Sequence, residues 1–526
     1  MLLIRNLRLA PGEPEAALKA QASRSLGVPA RDIIDLQILR RSLDARKKRD
    51  IHWEYAVALS LPGEEALLRR GAAPYEPFRY ELPRVRSDTR PVVAGFGPAG
   101  MFAALALAEA GLRPIVLERG GDAASRQAAV KRFWEGGGLD PECNVQFGEG
   151  GAGAFSDGKL ATNTHDRRNG WVLRRFRDFG APGHVVYDAR PHVGTDLLVK
   201  VVQNLRRHIE GLGAEVRFHC RFTGFTTDGL GALRAVEALG PEGPFTLPCR
   251  ALILAPGHSA RDTFEYLLSR GVAMEPKPFS MGVRVEHRQI DVDLAQYGRP
   301  RGKYLPPAEY RGSVRLPNGG SAYTFCMCPG GYVVAASSEA GGIVTNGMSY
   351  SGRAGENANA ALLAALRPAD VPADYTGPLA GMYWQREIER KCWRYAGGND
   401  SAPAQTVGDF LAGRAGAGPG SVVPSCRPGV FWGDLRRVLP GQVTDTLAAA
   451  IPRLASSLRF FAEPGAVLTA PETRSSSPVR VCRGADLQAL PGLYPCGEGA
   501  GWAGGITSAA VDGLRCAEAV IAAIGR

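Results

Sequence analysis

Three glycines and one acid carry the most specific chemistry in this chain. Gly95-x-Gly97-x-x-Gly100 follows the apolar run Pro91-Val92-Val93-Ala94 and opens an alanine- and leucine-rich stretch that ends at Gly111. A second apolar run, 114–117, ends on Glu118. Strand, glycine turn, helix, strand and acid, in that order, spell a nucleotide-binding βαβ unit. Gly95 allows the tight turn, Gly97 lets backbone approach a pyrophosphate, and Gly100 lets the helix pack closely on the sheet. With Pro98 and Ala99 they begin a helix whose unpaired N–H groups face phosphate oxygens. Glu118 stands eighteen residues past Gly100, where its carboxylate is placed to accept ribose hydroxyls. The three glycines alone would be weak evidence; with all the neighbouring elements in register they predict a dinucleotide site.

Two later segments narrow the choice. An apolar strand at 493–496 runs into Gly497-Glu498, crosses a glycine loop and enters a small-residue helix at Gly504-Gly505-Ile506. Residues 250–258 form another buried strand, ending on a small-residue turn with Gly257 and His258. These ordered elements resemble the FAD-binding set of the glutathione-reductase class. There the C-terminal acid holds ribitol and the last helix faces the flavin pyrimidine oxygen. Residues 144–160, 191–196 and 324–331 extend the likeness nearly end to end. The chain resembles a bacterial family of FAD-dependent dehydrogenases (NAD(P)/FAD-dependent oxidoreductases), distantly similar to geranylgeranyl reductases and electron-transfer-flavoprotein dehydrogenases. The resemblance implies an α/β chain with a glutathione-reductase-type FAD-binding Rossmann fold, an inserted α+β substrate domain and FAD as cofactor, with NAD(P)H as one candidate electron donor. It implies no particular substrate. Saturation of carbon–carbon double bonds is what the related reductases do.

Within that frame other residues acquire candidate roles. The loop 147–159 is too rich in glycine for a helix or strand, and the N–H groups around Gly150, Gly151 and Gly153 suit an anion nest. Lys159 is placed to set positive charge near the reducible end of the flavin; the competing reading is a buried structural loop with Lys159 exposed. Arg119 and Arg126 read either as contacts to adenine or phosphate or as surface arginines. Cys326-Met327-Cys328-Pro329 stands where the related reductases carry aromatics before a proline. Residues two apart in a strand share a face, so both sulfurs are expected to point into one cavity, as redox thiols or as small packed groups. His192 and His258 are candidate proton donors or structural histidines. No metal is expected, because the histidines and cysteines lack paired ligand spacing. No hydrolase triad or Gly-x-Ser-x-Gly turn is evident.

The 526-residue chain is too long for a single core. Three parts are expected: an N-terminal βαββ-like α+β domain over 1–86, a discontinuous FAD-binding domain over 87–278 and 485–526, and an insert over 279–484. Strands are expected at 33–41 and 53–61, a helix at 13–26, a substrate-sheet strand at 331–336, and loops from 403 to 433. The ten cysteines form no small-domain framework, and no apolar run is long enough to span a bilayer. Both fit a cytoplasmic protein; the small-molecule substrate is what the resemblance implies. The net charge of +11 is spread along the chain. The basic run 44–50 reads as a solvated hairpin loop or as an RNA contact, which keeps open a flavoprotein docking to RNA or another macromolecule.

Overall fold

The computed structural model describes residues 1–525. Alternating side chains in Leu2–Leu9 and His52–Ser60 leave one face apolar, and these strands build a small antiparallel sheet. Its order is Asp35–Asp44, His52–Ser60, Leu2–Leu9, Ala73–Pro74. Helix Ala17–Leu26 buries Leu18 and Ala22 against Val57 and Leu59. The helix begins later than the sequence suggests, after a turn over 13–16. Arg41 docks this unit on the rest of the chain. Its guanidinium donates to both oxygens of Asp188 (2.6 and 3.0 Å) and stacks on Trp53, while its backbone pairs with Tyr187 and Ala189.

A five-stranded parallel sheet follows, in the order Leu493–Pro495, Leu252–Leu254, Val92–Ala94, Ile115–Leu117, Glu215–Arg217. The three inner strands are apolar and buried on both faces, as parallel strands covered by helices must be. Helix Pro98–Glu109 begins with proline in its first turn, where a missing N–H costs nothing. It packs against the last helix, Ile506–Ile524, so closely that a Cβ at Gly513 would collide with the Ala99 carbonyl. A three-stranded antiparallel sheet, Arg221–Thr227, Leu233–Gly240 and Gly243–Pro248, is inserted between the fifth and second of these strands.

The insert is built on a seven-stranded sheet. Its centre is Phe279–Arg288, buried along nearly its whole length and flanked by Asn357–Leu366 and Val467–Glu472. Ser321–Cys328 pairs beyond Asn357–Leu366, with a register shift between Phe325 and Cys328. Two expectations need correction. The strand Tyr332–Ala335 does not join this sheet; it pairs with Thr345–Met348 in a separate two-stranded unit. The segment from 403 begins as a buried strand, Ala402–Thr406, in the large sheet and continues as helix Val407–Leu411; it becomes loop only afterwards. Small side chains allow that burial, and Val430–Trp432 supplies a parallel partner that sequence spacing does not reveal. No helix among the described residues is long and apolar enough to cross a membrane.

The helix contact at Gly513 is testable. Gly513→Ala forces a methyl onto backbone, so it should destabilise by roughly 1–3 kcal/mol. A thermal melt unchanged from wild type would show that the two helices have slack.

Candidate functional site

A cavity of about 350 Å3 opens at the carboxyl ends of the parallel strands. This is where doubly wound sheets bind ligands, because loops diverge there and leave a crevice. Gly95, Gly97, Pro98 and Ala99 line it from the first turn, and Glu118 and Arg119 from the next strand end. Gly257 and His258 enter from the third loop, and Gly497, Glu498, Gly504, Gly505 and Ile506 from the last. Gly151, Gly153 and Lys159 come from the glycine-rich loop, and Cys326 from the insert. Neither helix that opens onto the cavity has a side-chain cap at its start, whether at Gly97 or at Gly505. Their first-turn N–H groups are therefore open to an anion. No atom lies within 4 Å of a Cβ built on Gly504 or Gly505, so a side chain there would occupy space left for a ligand.

Glu118 is buried, and its carboxylate accepts three backbone amides: Phe96 at 2.8 Å, Gly120 at 2.9 Å and Gly148 at 2.8 Å. It thus joins the glycine turn, its own strand end and the 144–151 loop. Three expected contacts lie behind the wall instead. Gly100 packs its helix against the Gly95 carbonyl, and Gly150 packs against Ala154 and Val202. Arg126 is neither a surface residue nor a cavity contact. It is fully buried and donates to the carbonyls of Asn144, Val145 and Glu149 at 2.7–2.8 Å. A loop so rich in glycine has few side chains of its own to satisfy its carbonyls, and one guanidinium fork does it. Arg119 does line the cavity, lying over the Phe147 ring at 4.4 Å and paired with Asp262.

The two cysteines part company. The bulge after Phe325 and a positive φ of 44° at Cys326 break the two-residue alternation. Cys326 lines the cavity, while Cys328 is wholly buried behind it, its sulfur 3.3 Å from the Cys326 carbonyl and its S–H shared between that oxygen and the Cys326 sulfur. Arg284, also fully buried, donates to that same carbonyl at 2.9 Å. A hydrogen bond from Cys328 outweighs burial, and with Arg284 and Lys159 it draws the Cys326 thiol down to about 6. The Lys159 ammonium donates to the Met327 carbonyl and lies 3.7 Å from the buried Asp157 carboxylate. Burial opposes its charge, but Asp157 and Glu309 win and its pKa rises. His258 is pushed down to about 3 by burial and by Arg474 and Arg261. It is a neutral imidazole, with Nε2 lacking a hydrogen-bond partner. His192 is not in this cavity; it faces Asp157 from the far side, at 3.4 Å.

Sequence reading misses two residues here. Glu472 ends the strand Val467–Glu472 and lines the cavity; its side chain is only 5% exposed and its Oε2 has no hydrogen-bond partner. Burial pushes it up to about 7, against the pull of Arg284. Asp512, in the last helix, accepts from the Gly497 amide (2.8 Å) and binds Arg483 through both oxygens, fixing the entry to the glycine loop. Neither has a local motif; each acquires its place from distant strands and turns. Cys496, Asp512 and Cys516 bring potential ligand atoms within 4.8 Å, but the Arg483 guanidinium already sits against Asp512 and Cys516.

Comparison with known proteins now bears on the cofactor. A family described as "FAD-dependent protein, C-terminal domain-like" matches residues 278–475, and a domain of unknown function matches residues 1–60. A protein of Clostridium beijerinckii, described as uncharacterized, is 44% identical over 532 residues and covers 98% of both chains. This chain belongs to that FAD-dependent family. Among solved structures, a geranylgeranyl bacteriochlorophyll reductase-like protein from Thermoplasma acidophilum is 13% identical over 83% of this chain and 78% of its own, with a TM-score of 0.36. A triple mutant of the flavin-dependent brominase Bmp2 is 13% identical over 82% and 80%, with a TM-score of 0.38. Likenesses this low lend no chemistry to the family member described here. Its own residues fit FAD: uncapped helix starts suit the pyrophosphate and pyrimidine oxygens, and the open cradle at Gly504-Gly505 leaves room beside the ring.

Replacing Glu118 by arginine removes the acceptor for three amides and buries a charge among donors. Flavin absorbance per protein after gel filtration should fall several-fold, and undiminished FAD would sink the assignment. The thiol is equally open to test. Alkylation of Cys326 should rise through about pH 6 and level off near neutrality, whereas an ordinary thiol keeps gaining to about pH 8.5 and beyond. Cys328→Ala should move that curve to higher pH by removing the largest stabiliser of the thiolate. A curve centred at the ordinary thiol value in wild type would refute the pairing.

Proposed function

We propose that this FAD-dependent oxidoreductase exchanges a hydride with a small apolar or unsaturated molecule, with NAD(P)H as electron donor. The observation that carries the reading is one cavity that joins the FAD-facing loops to a Glu472 oxygen and a His258 nitrogen, neither of which has a partner. Bound FAD supplies the two-electron chemistry, and the protein supplies orientation and protons. Gly95, Gly97 and the start of helix Pro98–Glu109 would hold the pyrophosphate, with Glu118 shaping the ribose end. Glu498 and the start of helix Ile506–Ile524 would hold ribitol and the pyrimidine edge. Phe325, Ala161 and Ile506 give the ring end of the cavity an apolar surface suited to an unsaturated carbon skeleton.

Protons fall to two groups. Glu472 lines the cavity, is protonated below about pH 7 and has a buried oxygen without a partner, so it can deliver a proton to the carbon next to the one that receives hydride. His258, neutral throughout, can hold a substrate oxygen or a water by hydrogen bond. Cys326, as thiolate, adds a polarisable negative charge whose strength depends on Arg284 and Lys159. The RNA-docking alternative has less support. The hairpin it relies on is folded onto its own chain, with Arg46 paired to Asp44 and Lys48 donating to the Ala295 carbonyl.

The test begins with a screen of reductants and acceptors by bleaching and recovery of the visible flavin band without oxygen. NAD(P)H should bleach it, and an unsaturated acceptor should restore it. Recovery should slow as pH rises through about 7, because Glu472 then loses the proton it donates. Glu472→Gln should keep FAD, recover at least roughly tenfold more slowly and lose that pH dependence, the size expected for removing a general acid. An unchanged pH limb in the variant would remove Glu472 from the chemistry.

A further inference from the structure

A second cleft, of about 940 Å3, lies where the N-terminal unit meets the insert. It shares no lining residue with the FAD cavity, yet one buried carboxylate touches both. Asp157 is fully buried and accepts from Ser349. Lys159, which lines the FAD cavity, lies 3.7 Å from it, and His192 and Arg353, which line the second cleft, lie at 3.4 and 3.1 Å.

The cleft is strongly cationic. Arg41 and Arg353 are its most buried cations, and Arg40, Arg190, Lys303 and Arg311 stand around them, while Arg46 is paired to Asp44. Only Asp188 and Glu309 carry negative charge on its lining. Asp188 is already engaged by Arg41, and Glu309 by Arg353 and Arg190. Arg40, Lys303 and Arg311 have no carboxylate within 4.0 Å among the described residues. Deeper in, the Nε2 of His192 and the Nε of Arg353 lack hydrogen-bond partners, though these side chains are only 12% and 11% exposed. Placing so many donors around one hollow costs Coulomb repulsion that an anion would relieve. Guanidinium forks match phosphate oxygens in pairs. Tyr304, 59% exposed, offers a flat face at the same cleft. The volume lies within the roughly 300–1,000 Å3 typical of small-molecule sites.

We propose that this cleft binds a phosphate-bearing small molecule of the nucleoside-diphosphate kind, and that Asp157 couples its occupancy to the FAD cavity. A phosphate near Arg353 and His192 competes with Asp157 for their charge. Asp157 is then held more by Lys159, which changes the field that Lys159 presents to the flavin. The N-terminal unit thereby has a role, since Arg40 and Arg41 come from it. The inference stands apart from the hydride-transfer reading, because its first measurement is binding.

ADP and inorganic pyrophosphate, titrated into the FAD-loaded full-length protein by calorimetry, test it. ADP should bind, and more weakly as salt rises. Arg40→Glu with Arg311→Glu should weaken it at least tenfold while FAD content and melting temperature stay as in wild type; both side chains are exposed, so folding should survive. Saturating ADP should shift the visible flavin spectrum, and Asp157→Asn should abolish the shift while ADP still binds. No binding of either probe at millimolar concentration, or equal binding by the double variant, would overturn the site. A single-stranded oligonucleotide that binds more tightly than ADP and is lost in the same variant would overturn the small-molecule assignment in favour of RNA. An unmoved flavin spectrum with bound ADP would overturn the coupling.

Discussion

The Glu118 carboxylate is the constraint on which the cofactor half of this protein depends. Its two oxygens hold amides from three segments, the turn at Phe96, the strand end at Gly120 and the loop at Gly148, and reinforce the few backbone bonds that link them: Gly95 to Leu117, Gly150 to Phe96 and Glu149 to Gly121. Backbone N–H groups buried without acceptors cost about 1–3 kcal/mol each, so the acid stabilises a geometry that no secondary structure would. Arg126 does the complementary work on the same loop, satisfying carbonyls where Glu118 satisfies amides. Glu149 continues the pattern by accepting from the Ala123 amide at the start of helix Ala123–Trp134 while pairing with Arg206. A glycine-rich loop is thus tied down by Glu118 and Arg126 from outside it and by Glu149 from within it.

Charge also organises the other end of the cavity. Arg284 is completely buried between Asn359, Glu472 and the Cys326 carbonyl. Beyond it, Arg261 and Arg474 both grip Glu389, and Arg474 reaches Ser259 and Ser338. Burial, with Arg474 and Arg261, holds His258 neutral, while the Cys328 hydrogen bond, with Arg284 and Lys159, favours the Cys326 thiolate. A buried cation disfavours a second cation and favours an anion, so nearby positive charge works against the imidazolium at His258 and for the thiolate at Cys326.

Much of the nucleotide-binding sheet was legible in the sequence because its signals are local. Gly95, Gly97 and Glu118 sit within one βαβ unit, and Gly497-Glu498 repeats the strand-to-turn pattern at the other end. What was not legible depends on pairing across long stretches of chain. Cys326 and Cys328 were expected to share a face, and alternation would have made it so, but a bulge is invisible without the partner strand. Arg126 reads from sequence either as a cofactor contact or as a surface arginine; only the carbonyls of the glycine loop give it reason to be buried. Glu472 carried no motif at all. It matters because Arg284, far away in sequence, and the wall of the cavity leave one of its oxygens free. The N-terminal strands were read to within a few residues, whereas the small separate sheet at Tyr332–Ala335 was assigned to the wrong neighbours.

The strand Leu493–Pro495 and the helix Ile506–Ile524 have a consequence for the order of assembly. They close the nucleotide sheet beside Leu252–Leu254 and seat against the helix that begins at Pro98. During synthesis the N-terminal unit has all of its strands early, while the cofactor cradle lacks one wall until the last stretch leaves the ribosome. For most of translation the buried face of helix Pro98–Glu109 has no final partner, and the apolar strand Leu252–Leu254 is an open sheet edge. FAD capture is therefore a late event. The growing chain passes through a period in which these apolar surfaces are made but not yet covered.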